Sequence, residues 1–475
     1  MNKLLYYITN IALGLVLVQL FSSESTLMKV VGLSLMVIHS FIIFHIFHDQ
    51  FLFIINLICQ STMGSHDVMG GITLAPLIVI IIFILFKGRL FIKDKVVGFL
   101  LLILIITNFM GYLFNSPADT KDLIQSMLIF SGFILTFIFI QSYSFTESNI
   151  KSFFQVLTFI SVVLFVVALN QKFVFIDSSF FLLGRVPGYS SVSSVSIDYD
   201  GRYPSLFCDY ELFSEFALLT FILAFSVFMD RDSSKRFGGG TSMLLMSLSF
   251  LNVLITGTRS GFILLFVFII LFFLIRSGTL LSNKAFLLFS VLVVLVLVIM
   301  FFGDLLGFEL IIERLREIDV KRLSVNNLVT GEQLNRSLVY AEGYKRIGEE
   351  NWILGYGYGT SAVNSYAWLG NIGSLGFEIR DFHSLYLCIP MIYGWIGGIA
   401  YLLIILYVII KNFRVYLLMQ AKPIRGLILG FAFVFMFFLL NELKINSLRT
   451  YNYHFLIWIL LGIAISLSNQ PSKST

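Results

Sequence analysis

The sequence predicts an all-α fold, a polytopic bundle of transmembrane helices, and three observations lead to it. First, 58% of the 475 residues are hydrophobic and 12% are charged, and the mean hydropathy is +0.93. Those values belong to membrane proteins and leave no room for a sizeable soluble domain. Second, apolar runs long enough to cross a hydrocarbon core of about 30 Å recur along the chain. Third, these runs lack the period-2 alternation of barrel strands, so their backbone polar groups must be satisfied within helices.

Taken in order, the expected spans lie near 4–21, 28–46, 72–86, 96–115, 122–141, 152–175, 210–229, 242–257, 260–275, 285–302, 384–410, 425–441 and 453–468. With the partial apolar piece 51–59, about 12 to 14 crossings are expected at roughly 20 residues each. The first run lacks a small-residue cleavage site and is read as a retained helix. The chain is read as a single membrane domain over 1–475, with a long loop at 303–382 inserted between late spans.

Charge sets the expected orientation. Lys87, Arg89, Lys93 and Lys95 form one basic loop, and Arg231, Lys235 and Arg236 form another. Arg276 with Lys284, and Lys411, Arg414, Lys422 and Arg425, complete the set. Loops of this kind stay on the cytoplasmic side. That places 177–209, the turn at Arg259 and 303–382 together on the outer side, where they can meet. The net charge of +5 reflects these short loops and gives no reason to expect a nucleic-acid partner. Cys59, Cys208 and Cys388 are too few and too scattered for a disulfide framework.

Within the long loop, 309–323 reads as an amphipathic helix and 333–347 as a second one, which stops at Gly348 ahead of the glycine-rich turn Gly355-Tyr356-Gly357-Tyr358-Gly359. The cluster Arg314, Arg316, Lys321 and Arg322 is read as a solvated face, with contact to lipid headgroups as the alternative.

Polar chemistry in such a chain has few places to sit. Arg259 stands between two apolar runs, in Thr256-Gly257-Thr258-Arg259-Ser260-Gly261. An arginine there needs a partner or a purpose, and a guanidinium can fork onto two phosphate oxygens. A snorkelling arginine at a helix end is the plain alternative. Arg202 and Tyr203 close the shorter loop, just before a run that opens with Asp209, Glu211 and Glu215. Those carboxylates are read as complements of a helix dipole. Asp198-Tyr199-Asp200 has the spacing of a metal-binding DxD but is read as a turn. His383 follows Asp381 at the entrance to a span and suits a general base, while spacing alone favours an interfacial histidine bound to a loop carbonyl. His39, His45, His48, His66 and His454 show no ligand spacing, so no metal and no cofactor is expected.

Three stretches in order resemble the O-antigen polymerase and ligase superfamily. Thr256 to Gly261 is similar to its Thr/Ser-Arg-Gly/Ser motif, Trp352 to Gly359 to its Gly-x-Gly turn, and His383 to Gly397 to its His-Asn-x-x-Leu helix with a later Gly-x-x-Gly. Ser384 stands where the family usually has Asn. The resemblance implies a metal-independent, inverting glycosyltransferase of the GT-C-like kind, in the bacterial inner membrane, with its active site on the periplasmic side. Its substrate would be an oligosaccharide linked to undecaprenyl diphosphate. Arg202, Arg259 and Arg336 are the diphosphate candidates, His383 with Arg259 the catalytic pair, and Tyr203, Tyr340 and Tyr356 the glycan contacts, with Tyr358 and Trp368 as further aromatic candidates. The preferred activity is polymerisation of O-antigen, capsule or exopolysaccharide. The alternatives are a ligase acting on lipid A-core or protein, and a flippase for the same lipid-linked unit. A flippase should show a repeat between halves and charges spread through the spans, and neither is visible. A chain-length regulator and a flippase are the protein partners the resemblance implies.

Overall fold

The computed structural model describes residues 50–62, 92–114, 120–173, 203–207, 209–276, 353–359, 382, 384–419 and 423–470, with short pieces within 31–42 and at 80–81, 343–345, 370–371 and 378–379. The helices are α1 (Gln50–Thr62), α2 (Lys95–Phe114), α3 (Thr120–Ser142), α4 (Glu147–Phe173), α5 (Tyr210–Met229), α6 (Arg231–Phe237), α7 (Gly239–Ile255), α8 (Arg259–Arg276), α9 (Leu385–Leu418), α10 (Arg425–Asn441) and α11 (Tyr451–Ser468). Two two-residue strands, β1 (Gly370–Asn371) and β2 (Glu378–Ile379), pair antiparallel. The protein is a polytopic helical membrane protein. Among the described residues six helices are long and apolar enough to cross a membrane, or seven if α6 and α7, bent by 99°, form one span.

Most of the described apolar runs become helices within a few residues of their expected bounds; 425–441 is reproduced as α10 and 210–229 as α5, while the run expected at 384–410 continues to Leu418 in α9. The partial piece 51–59 is the helix α1, most of it buried. Expected spans at 4–21 and 285–302, most of 28–46 and 72–86, and most of the loop 303–382 lie outside the described residues; in that loop 343–345 is helical.

Among the described helices long enough to cross a membrane, α5 and α11 are the most buried, over 89% and 94% of their apolar stretches. An all-round apolar sequence permits that position, because every face must meet another helix. Phenylalanines fill the space between three helices: Phe221 and Phe225 of α5, Phe268 and Phe272 of α8, and Phe433 and Phe437 of α10 meet mostly edge to face. The hydroxyls of Thr220 on α5 and Ser249 on α7 bond at 2.9 Å, and Asn252 of α7 donates to the Ser161 carbonyl of α4 at 3.1 Å. Such contacts fix the register of helices that lipid does not drive together.

The termini sort into two ends. At one, Lys411 of α9 bonds Asp94 before α2 and Asn469 after α11, Gln470 reaches the Phe145 carbonyl at 2.8 Å, and Arg236 lies 3.7 Å from Glu147. At the other end lie the start of α5, the α7–α8 turn, the start of α9 and the α10–α11 connection.

Candidate functional site

The turn that carries Arg259 is built by glycine and hydroxyls. Gly257 takes a positive φ of 61°, which ends α7 where a side chain would be strained. Arg259 then opens α8 and is half-buried, while Thr256, Gly257 and Thr258 are buried. Gly261 lies so close to α5 that an added Cβ would come within 2.1 Å of Ser214 Oγ. The Thr258 hydroxyl bonds that same Ser214.

Ser214 stands among carboxylates at the start of α5. Asp209 caps the helix, accepting from the Glu211 and Leu212 N–H groups at 2.8 and 3.2 Å. Glu211 pairs with Lys444 at 3.4 Å. Glu215, one turn further in, is fully buried; it accepts from the Tyr453 hydroxyl at 2.8 Å and from Asn441 Nδ2. Asp209 is thus the cap that complements the helix terminus, as expected. Glu211 and Glu215 are instead built into cross-helix contacts, which the dipole reading did not include. A carboxylate buried among apolar helices persists only with such partners.

The segment before α5 is held as tightly. Ser205 has a positive φ of 52°, a costly conformation for a residue with a side chain. Three hydrogen bonds impose it: Gln171 accepts from its N–H at 2.8 Å and donates to its carbonyl at 3.1 Å, and its hydroxyl reaches the Leu164 carbonyl at 2.6 Å. Phe207 then packs edge to face on Tyr453, the partner of Glu215. Tyr203 packs half-buried against the same core.

The glycine-rich turn is inserted into a broken helix. Gly394 interrupts α9 with φ 70° and ψ 174°, and the break exposes carbonyls that need donors. The Tyr356 N–H takes the Met391 carbonyl at 2.8 Å and the Gly357 N–H takes that of Ile392 at 3.0 Å. The approach is backbone on backbone: an added Cβ at Gly355 would lie 2.4 Å from the Ile392 oxygen, and one at Gly111 of α2 would lie 2.6 Å from the Gly355 oxygen. Asn108 of α2 accepts from the Tyr358 N–H at 2.9 Å, and Tyr112 donates to its carbonyl at 2.6 Å. Tyr451 at the start of α11 donates to the Gly359 carbonyl at 3.1 Å.

The Tyr358 ring is 1% exposed and stacks on Tyr393, their centroids 6.1 Å apart. This corrects its place among the glycan-stacking candidates, because the protein itself encloses the ring. Tyr356 remains half-buried, its backbone spent on the α9 break.

Of the residues selected from sequence, Arg259, Tyr203 and Tyr356 lie on segments anchored to the same end of the bundle. The link between them is the stretch 441–454, which the sequence reading passed over. Asn441 and Lys444 reach the α5 carboxylates, and the Leu385 N–H at the start of α9 donates to the Glu442 and Ile445 carbonyls at 3.1 and 2.9 Å. Tyr358 reaches the Leu448 carbonyl at 3.4 Å. The signal was present: a polar run, Asn441-Glu442-Leu443-Lys444-Ile445-Asn446, between two apolar runs. Arg202, Arg336, Tyr340, Trp368 and His383 lie outside the described residues. The neighbours of His383, Phe382 and Ser384, are buried. Among the described residues, no group of three or more His, Cys, Asp or Glu side chains is arranged to hold a metal.

The fold and this constellation define a helical membrane protein with a polar site built at one end of its bundle. Residues 244–402 match the family model described as O-antigen ligase. All three motif stretches fall inside that interval, so the match bears out the resemblance to the O-antigen polymerase and ligase superfamily. It supports ligase-like or polymerase-like glycosyl transfer in general. No curated protein and no solved structure matches the chain.

Proposed function

We propose that the protein polymerises a bacterial surface polysaccharide, transferring glycan from undecaprenyl diphosphate onto a lipid-linked repeat unit. The observation that carries this reading is Arg259, half-buried at the first position of α8 on a turn clamped to α5. It stands at the end away from Lys93, Lys95, Arg236 and Lys411. A basic end faces the cytoplasm, which supports the reading of Arg259 as a periplasmic residue of the inner membrane, on the side where the lipid-linked unit would be used.

In this reading Arg259, with Arg202 and Arg336, neutralises the donor diphosphate. An acceptor hydroxyl attacks the anomeric carbon from the face opposite the diphosphate. The carbon–oxygen bond to the diphosphate breaks, its electron pair stays on the departing phosphate oxygen, and His383 takes the hydroxyl proton. The configuration inverts and no metal is needed, because the leaving group is already good and the arginines carry the charge. Tyr203, Tyr340 and Tyr356 contact the glycan. A chain-length regulator and the flippase that supplies the donor are the expected protein partners. Over 303–382, the long loop of the single membrane domain would complete the site.

The test is to give the purified protein the undecaprenyl-diphosphate repeat unit with chelator present and no other acceptor. A ladder of lengthening chains is the expected product. Product formed only after lipid A-core or a carrier protein is added identifies a ligase instead, the second reading, which shares its name with the matched family model. No product in either case overturns both and returns the flippase reading. Arg259→Ala should lower the transfer rate about 10²-fold, and a wild-type rate removes Arg259 from the reaction.

A further inference from the structure

The hydroxyls behind Arg259 form a chain whose direction can be worked out. Thr256 Oγ1 donates to the Val253 carbonyl at 2.7 Å, which uses its only proton. Thr256 and Thr258 share a hydrogen bond of 3.2 Å, so Thr258 is the donor there. The bond between Ser214 and Thr258 must then be donated by Ser214. The order is Ser214 to Thr258 to Thr256 to Val253, with every hydroxyl proton assigned. Ser214, Thr256 and Thr258 are 2%, 0% and 4% exposed, so water does not compete for these bonds.

The chain starts from a fixed point. Ser214 lies between Glu211, bound to Lys444, and Glu215, bound to Tyr453 and Asn441. Helices α10 and α11 and the connection between them therefore hold the backbone from which its hydroxyl projects. Gly261 removes the one atom that would push α8 off this support. We infer that Ser214 is the positioning residue for Arg259: it sets, through Thr258, the direction in which the first residue of α8 presents its guanidinium to the diphosphate of a lipid-linked donor. The inference rests on the reading of Arg259 as a diphosphate ligand. It adds that the precision of that ligand originates on α5.

A guanidinium fork loses much of its value when its orientation drifts. Its loss should appear in donor recognition, beyond the stability lost with a buried hydrogen bond. The test measures initial transfer rates of the purified full chain against the undecaprenyl-diphosphate repeat unit, with thermal unfolding of each variant alongside. Ser214→Ala and the isosteric Thr258→Val should each raise KM for the donor about tenfold, the equivalent of one buried hydrogen bond. Thr258→Ser keeps the hydroxyl and should restore the wild-type KM. In an Arg259→Ala background, Ser214→Ala should change nothing further, because the group it positions is gone.

An equal loss from Ser214→Ala in both backgrounds overturns the inference, since a merely structural serine would act that way. So does a wild-type KM for Ser214→Ala while Arg259→Ala is impaired, which leaves the reading of Arg259 standing. A wild-type rate for Arg259→Ala overturns that reading and this inference with it. Because Thr258→Val breaks the same link from the other side, disagreement between it and Ser214→Ala also counts against the chain.

Discussion

The two ends of the bundle are held by different chemistry. At the basic end the central contact is between full charges: Asp94 takes Lys411 and, at 2.8 Å, the Tyr407 hydroxyl, while Lys411 also reaches Asn469. At the end carrying Arg259, most contacts run through backbone groups and neutral side chains. Carbonyls freed by the α9 break are taken by the 355–357 backbone, and Glu215 is held by an amide and a phenol. An ion lock tolerates small displacements because Coulomb attraction falls slowly with distance. A lattice of glycine contacts and neutral hydrogen bonds does not, and it fixes the positions of its members more sharply. The end that carries Arg259 is the one held mainly by contacts of the second kind.

The largest test of this contrast is at the helix break. Gly394→Ala adds a Cβ 2.2 Å from the Ile353 oxygen at a residue with φ +70°. Backbone cannot yield there as a side chain would, so a loss of about 4 kcal/mol is expected, seen as a clear fall in the thermal unfolding midpoint in detergent. An unchanged midpoint would mean that the turn is not seated in the break.

Glu215→Ala should cost less, about 3 kcal/mol, since it leaves the Tyr453 hydroxyl and Asn441 amide unpaired. Glu215→Gln retains one acceptor and should lose less than half of that by the same measurement. If the glutamine variant were as damaged as the alanine, the charge rather than the hydrogen bonding would be what the site needs.

At the other end, Asp94→Asn should cost about 2 kcal/mol and change the response to acid. Burial raises the tendency of Asp94 to hold a proton, but the Lys411 and Tyr407 hydrogen bonds, the Lys411 charge and the Val97 N–H together outweigh it and keep the carboxyl below the ordinary aspartate range. A carboxyl lowered on folding adds stability that is present above its unfolded pKa and is lost as pH falls through its folded one. Acid titration of the unfolding midpoint should therefore be shallower in Asp94→Asn than in the wild type, and parallel curves would deny Asp94 this role. The smallest effect belongs to Arg236→Ala. Its pair with Glu147 is more than half exposed at both side chains, and less than about 1 kcal/mol should be lost.

The sequence by itself determined the class of fold and much of the outline of the helices. Apolar runs between basic loops must become helices in a bilayer, whatever their neighbours, because the backbone has no other way to satisfy itself. It also located Thr256 to Gly261 and Gly355 to Gly359, since glycines and an arginine stand out against an apolar background. Tertiary structure alone decided what those residues touch. Gly394 is legible in the sequence as the first glycine of a Gly-x-x-Gly within one span, and only the approach of Gly355 shows that it breaks the helix to receive a turn. Glu215 looked like a terminal charge, and only the packing of α10 and α11 against α5 makes it a buried junction. Ser214 carried no signal at all. A helix is specified by local spacing, whereas a hydrogen bond between residues 44 positions apart depends on how whole helices pack.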